Sequence, residues 1–258
     1  MTDSLNTKLS RNSVRQRLLD WFNTPLGRQV IDDEHLIMES ILPDLFGYHF
    51  MQIGLVHQNH LLACTRINHH FIAQLNEEDS IDCAVSLICQ DDSLPIASDS
   101  VDVVVLSHVL EYSQTPHKIL REIERILIGE GHLIIVGFNP WSLFGIWRLL
   151  LAWREETPWC GHFFSYNRIR DWFTLLDFDL IQLKRVFYRP PLQNSKIMGK
   201  LFFMEKIGKY CWSIFGSIYV VVVRKRVVPL TPVKDLWSKR RNMIKSRIAE
   251  PTTRISDS

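Results

Sequence analysis

Apolar positions recur in two different periods along this chain, and the change from one to the other is clearest between Ser93 and Pro140. Val101 to Leu106 is a short, almost wholly apolar run rich in β-branched valine, set between the turn-like Ala97-Ser98-Asp99-Ser100 and polar Ser107-His108. That pattern predicts a buried strand. Thr115 then stands as an N-cap with Pro116 at the first helical position. Ile119, Leu120, Ile123, Ile126 and Leu127 fall on one helical face, and Lys118, Arg121, Glu122, Glu124 and Arg125 fall on the other. Gly129 and Gly131 are expected to stop this helix before a second buried strand begins over Leu133 to Val136. Strand, amphipathic helix and strand make a βαβ unit, parallel and right-handed. In such sheets ligands bind outside the carboxyl ends of the strands, so Ser107, His108, Glu111, Phe138 and Asn139 point toward any site.

The same reading extends to both ends. Ser13 to Phe22 and Gly27 to Glu39 read as helices, with Leu18, Leu19, Trp21 and Phe22, then Val30, Ile31, Ile37 and Met38, turned inward for packing. Strands are expected at Tyr48 to Ile53, ending at Gly54, at Arg66 to Leu75 and at Cys83 to Gln90, and a last pair at Phe178 to Val186 and Ser217 to Val223. Ser165 to Leu176 is amphipathic, with Ile169, Trp172, Phe173 and Leu176 inward. Between Arg189 and Trp212 the apolar residues are interrupted by Lys200, Glu205, Lys206 and Lys209, which fits an amphipathic helix. Trp141 to Trp153 is strongly apolar but too short to span a bilayer, which needs about 20 residues. It reads as a buried helix, a lid over a pocket or an interfacial helix.

Leu94-Pro95, Ser100-Val101-Asp102, His108-Val109-Leu110-Glu111, the helix ending REIERIL, Gly131 and HLIIVGFNP occur here in one order and spacing. Together they resemble the core of class I S-adenosylmethionine-dependent methyltransferases of type 11. LFGYHFMQIG, GFNPWSLFG, DWFTLLDF and RKRVVPLTP are similar to segments of an uncharacterised bacterial branch of that family, and the likeness runs from Leu42 to Val233. The resemblance implies an α/β, Rossmann-like methyltransferase fold: a mostly parallel seven-stranded sheet, helices on both faces and a final antiparallel strand. It further implies a cofactor, S-adenosylmethionine, held by Gly54, Gln90, Asp91, Ser107 and His108. Gln90 occupies the position, four residues before the Leu-Pro pair, where the family places an acidic residue on the adenine amine. The turn after the first strand keeps only Gly54 of the glycine-rich pattern, and Leu55, Val56 and His57 depart from it; β-branched Val56 is poorly suited to positive φ. At the expected ribose position nothing acidic stands, Glu77 and Glu78 coming late and Asn76 being a substitute. The turn is degenerate.

Composition limits the alternatives. A chain of 258 residues with 46% hydrophobic and 22% charged residues can bury a full core without staples. Cys64, Cys83, Cys89, Cys160 and Cys211 form no CxxC pair, and the first residues lack an apolar signal core, so a reducing, cytoplasmic setting is expected. His57, His60, Cys64, His69 and His70 cluster in sequence but match no standard zinc spacing, and no metal site is expected from them. The organisation expected is helical segments at 1–41, a methyltransferase-like domain at 42–233 and a basic, disordered tail at 234–258. From Arg224 onward the chain carries a net +7, leaving −5 for residues 1–223, so that tail could meet nucleic acid or an anionic surface.

Methyl transfer from a sulfonium needs alignment and exclusion of water more than a catalytic triad. If a base is required, His108 and Glu111 are the candidates, with cofactor-pocket lining as their other role. Asn139, Trp141, Trp159, His162 and Phe163 are expected to line the acceptor pocket, whose aromatic character suits a small or partly apolar, unidentified acceptor. Two further functions stay open: a non-catalytic binding or scaffold protein on this fold, and a methyltransferase of RNA or protein recruited by the basic tail.

Overall fold

The computed structural model describes residues 16–54, 64–74, 85–88, 93–151, 158–191 and 213–227. Helix α1 covers residues 16–22, α2 is Pro25–Glu39, α3 is Pro116–Ile126, α4 is Leu143–Leu151 and α5 is Tyr166–Leu175. The strands are β1 (His49–Gly54), β2 (His69–Gln74), β3 (Val85–Ile88), β4 (Val101–Ser107), β5 (Leu127–Phe138), β6 (Phe178–Val186) and β7 (Ile218–Lys225). They form one seven-stranded sheet in the order β3-β2-β1-β4-β5-β7-β6. β1 to β5 run parallel, and β7 enters antiparallel between β5 and β6. Among the described residues no helix is long and apolar enough to cross a membrane.

Side-chain alternation divides the core between the two faces. Phe50, Val103, Val105, Ile134, Val136, Phe138, Val220 and Val222 face α1, α2 and Phe144 of α4. Met51, Ile53, Val104, Leu106, Leu133, Ile135, Val221 and Val223 face α3 and α5. Both faces of β4 are thereby covered, which is why its sequence reads as continuous valine rather than as alternation.

The sheet changes direction between β1 and β4. From β1 the order runs through β2 to β3 on one side, and from β4 through β5 on the other, a reversal of the kind at whose carboxyl edge such sheets bind ligands. Gly54 pairs with Ser107 at that point.

Local boundaries depart from the sequence reading in instructive places. Thr24 caps α2, its hydroxyl accepting from Gly27 N at 3.2 Å, and Pro25 occupies the first turn, so the helix starts ahead of Gly27. Thr115 holds the N-cap position of α3, but its side chain makes no capping bond. Gly129 and Gly131 do not stop α3. The helix ends at Ile126, Leu127 caps it in extended conformation, and β5 starts there with both glycines inside the strand. The reason is steric: a Cβ on Gly131 would lie 2.9 Å from Ile128 O and 3.1 Å from Asp102 O, beside the register shift between Val101 and Val103. The amphipathic helix expected before Trp212 lies outside the described residues apart from residues 189–191, and the basic tail at 234–258 lies outside them entirely.

Candidate functional site

Three ionisable side chains meet beneath the carboxyl end of β4. His108 follows the strand directly, with a backbone φ of 52°, the left-handed region that a non-glycine residue seldom adopts. Its backbone N–H donates to Val136 O at 3.1 Å, tying the turn to β5. The imidazole Nε2 donates to Glu34 Oε1 on α2 at 2.8 Å, and Nδ1 lies 3.5 Å from Glu111 Oε1. All three side chains are buried, the ring lying 4.3 Å from that of Phe138 and 5.5 Å from that of Phe22.

Burial alone would push the imidazole down, because a charge loses its hydration there. The carboxylates of Glu34 and Glu111 reverse this and raise His108 from 6.5 to about 10. At neutral pH His108 is therefore an imidazolium with no lone pair to offer. In this arrangement it balances charge and does not accept a proton.

Glu111 is placed by a 3₁₀ turn over Leu110–Tyr112. Its Oε1 accepts from Phe138 N at 2.9 Å, while Oε2 is buried with no hydrogen-bond partner among the described residues. Room for it depends on Gly137, where a Cβ would sit 2.7 Å from Glu111 Oε1 and 2.6 Å from the Tyr219 hydroxyl. Burial, and then the Glu111 charge, push that tyrosine well above its usual value.

Gly54 ends β1 with φ of 117°, and a Cβ there would meet Ser107 O at 2.2 Å. Only glycine lets β1 close on β4 at this end of the sheet. Ser107 Oγ is fully buried and has no partner among the described residues. Gln74 closes β2, nearly fully buried; as the residue after Ala73, the partner of Ile53, it stands level with Gly54. The Ser107 hydroxyl and the Gln74 amide are polar groups at these strand ends that fit a nucleotide cofactor lying across β2, β1 and β4, while the space over Gly54 is taken by Ser107 and Val109. Leu55, Val56, His57, Gln90 and Asp91 lie outside the described residues.

The expected acceptor-pocket residues separate. Trp159 and Phe163 are buried in an aromatic cluster: Phe163 lies 5.1 Å from Phe138, and Phe144 5.4 Å from Trp159. Their segment is tied to Glu111, whose carbonyl accepts from His162 N at 2.7 Å. His162 is exposed, and partial desolvation, then the charges of Arg148 and Arg168, lower its pKa. Asn139 is fully committed to the scaffold. Its Nδ2 donates to Ile214 O at 2.8 Å and Gly216 O at 2.9 Å, and its Oδ1 accepts from Trp141 N at 3.1 Å. Trp141 is 66% exposed, and Ile146, Leu149 and Leu150 of α4 are exposed beyond it.

Periodicity gives α2 a packing role and does not single out Glu34, the third member of the cluster. Its signal is legible in retrospect. Leu26, Val30, Glu34, Ile37 and Met38 form the buried stripe of α2, so a carboxylate occupies a core position of an otherwise apolar face.

Residues 47–135 match the family model described as a methyltransferase domain. The chain is 29% identical over 236 residues to the uncharacterised protein YafS of Escherichia coli (strain K12), across 91% of this chain and 84% of that one. It also superposes on the Haloferax volcanii methyltransferase solved as a complex with its Trm112 activator, with TM-score 0.56 at 15% identity, over 83% of this chain and 98% of that one. An S-adenosylmethionine-dependent methyltransferase from Mesorhizobium loti gives TM-score 0.52 at 12% identity, over 74% of this chain and 96% of that one.

Proposed function

We propose that this chain, whose residues 47–135 match the methyltransferase-domain family model, binds S-adenosylmethionine across the carboxyl ends of β2, β1 and β4 and methylates a small, partly apolar acceptor. The observation that carries the reading is the closure of β1 on β4: Gly54, with φ of 117°, faces Ser107 O at the point where the sheet changes direction. The cofactor brings a methyl group already activated by a sulfonium charge. What the chain supplies is position and charge. Gly54 lets β1 close on β4 and so sets the floor of the site, the Gln74 amide can hydrogen-bond a ribose hydroxyl, and Ser107 Oγ offers a buried donor and acceptor. Glu34, His108 and Glu111 together carry a formal charge of −1, which suits a cationic ligand nearby. Phe138, Phe163 and Trp159 form a buried aromatic cluster at the end of β5, and Trp141 is exposed; this aromatic character favours an acceptor with apolar parts.

A scaffold reading draws support from the same cluster, since Glu34 and Phe22 enclose His108 and leave it no access to solvent. Thermal denaturation with S-adenosylmethionine, and separately with S-adenosylhomocysteine, divides the two. At 100 times its dissociation constant a ligand adds about 2.7 kcal/mol, which at roughly 2–4 °C per kcal/mol raises the midpoint by about 5–11 °C. The negative cluster further predicts a larger shift for the sulfonium than for the neutral thioether. No shift with either compound at millimolar concentration refutes cofactor binding and leaves the scaffold.

A further inference from the structure

We infer that His35, Glu39 and Cys64 form a binding site for a transition-metal ion of the zinc class, tethering α2 to the segment that leads into β2. His35 and Glu39 lie one turn apart on α2, and one ligand atom from each of the three residues falls within 4.8 Å of the others. His35 Nε2 is 3.6 Å from Cys64 Sγ. Tetrahedral zinc with bonds of about 2.05 Å to nitrogen and about 2.3 Å to sulfur holds those two ligand atoms roughly 3.6 Å apart. The two atoms are thus already at the edge length of the coordination polyhedron. Glu39 Oε1 pairs with the other ring nitrogen, His35 Nδ1, at 3.5 Å, and its half-exposed carboxylate completes the donor set by swinging toward Cys64, which lies within 4.8 Å. Thiolate, imidazole and carboxylate are a donor set that zinc accepts and that calcium or magnesium does not, and water fills the fourth position.

Without metal the thiol faces a carboxylate, and burial together with the Glu39 charge raises its pKa. A divalent cation removes that conflict by displacing the thiol proton. The consequence is mechanical. Glu34, the residue before His35, holds His108, so an ion at His35 and Cys64 fixes α2 from its other flank. The spacing of cysteine and histidine within residues 57–70 does not disclose such a site, because two of its three donors come from α2.

The site is independent of methyl transfer, and its test uses zinc chloride alone. Calorimetric titration of the full chain at pH 7.5, in two buffers of different protonation enthalpy, should give one ion per chain and release of about one proton. Cys64→Ser and His35→Ala should each weaken binding at least 100-fold, and Glu39→Gln about 10–100-fold. Cobalt should give a thiolate-to-metal charge-transfer band that Cys64→Ser lacks, a readout that a change in folding alone would not mimic while circular dichroism stays native. His69→Ala, which breaks the exposed His49–His69 pair with Nδ1 atoms 2.8 Å apart, should leave binding unchanged. Wild-type binding weaker than about 100 μM, an association of about 5.5 kcal/mol, overturns the site. Undiminished binding by Cys64→Ser, or loss of binding in His69→Ala, also overturns it.

Discussion

Replacing Glu34 by glutamine separates the charge of the buried triad from its shape. The amide oxygen can still accept from His108 Nε2, so the 2.8 Å hydrogen bond survives while the counter-charge goes. At that distance and an effective dielectric near 20, the lost attraction is about 6 kcal/mol before solvation is counted. The remaining partner, Glu111 at 3.5 Å, gives about 5 kcal/mol on the same scale and must offset burial of the imidazolium by itself. Breaking one member of a buried pair typically costs about 3–5 kcal/mol. For a chain of this size that lowers the melting midpoint by roughly 6–20 °C at pH 7.

The pH profile adds a second readout with a definite sign. In the folded protein His108 keeps its proton up to about pH 10, whereas the unfolded imidazole releases it near 6.5. Between those values the native state binds more protons, so its stability is fully present below 6.5 and is lost as pH rises toward 10, with a limiting slope of about 1.4 kcal/mol per pH unit. In Glu34→Gln the pKa of His108 falls and this slope shrinks or moves to lower pH. Thermal denaturation at pH 7, and chemical denaturation of wild type and variant at half-unit steps from pH 6 to 10 with the His108 ring followed by NMR, measure both. A variant within 1 °C of wild type and with an unchanged pH slope would refute the ion pair as the element that holds α2 to β4.

Gly54→Ala should destabilise by about 2 kcal/mol or more, because φ of 117° and Ser107 O at 2.2 Å both oppose a Cβ, and it should abolish the thermal shift with S-adenosylmethionine. Asn139→Ala orphans the carbonyls of Ile214 and Gly216, and urea denaturation should show a loss of about 2–4 kcal/mol. Trp141→Ala, at a residue 66% exposed, should change stability by no more than about 0.5 kcal/mol. A rise in acceptor KM with that variant therefore reports contact with the acceptor. Stability should also fall below pH 6.5 as His132 and His162 take up protons, since burial foremost lowers both in the folded state.

The central βαβ unit was legible because β4 and α3 each obey a single period over enough residues to exclude the other. Residues whose chemistry follows from strand ends, Ser107, His108 and Glu111, were legible for the same reason: polar side chains directly after a buried strand lie at its carboxyl edge. Hydropathy could not distinguish the environments of Asn139 and Trp141, two residues apart. One spends its amide clasping the turn before β7, and the other projects outward. Only the antiparallel return of β7 beside β5 supplies the carbonyls that make the difference. A continuous apolar stretch also hid the asymmetry of α4, where Phe144 is buried while Ile146, Leu149 and Leu150 remain in solvent.

The same limit accounts for Glu34. Read locally, an acid in Asp32-Asp33-Glu34 is part of a solvated helix face, and Asp32 and Asp33 are at least partly exposed as that reading requires. Its partner is 74 residues away, and the imidazolium it balances exists only when β4 delivers His108 beneath α2. The charge in the core stripe is therefore unfavourable taken alone and favourable only in the assembled sheet. That makes α2 more than packing: its apolar residues hold it to one face, while Glu34 makes its placement depend on the turn after β4. Any ligand that alters the charge at this carboxyl edge must alter the energy of that helix as well.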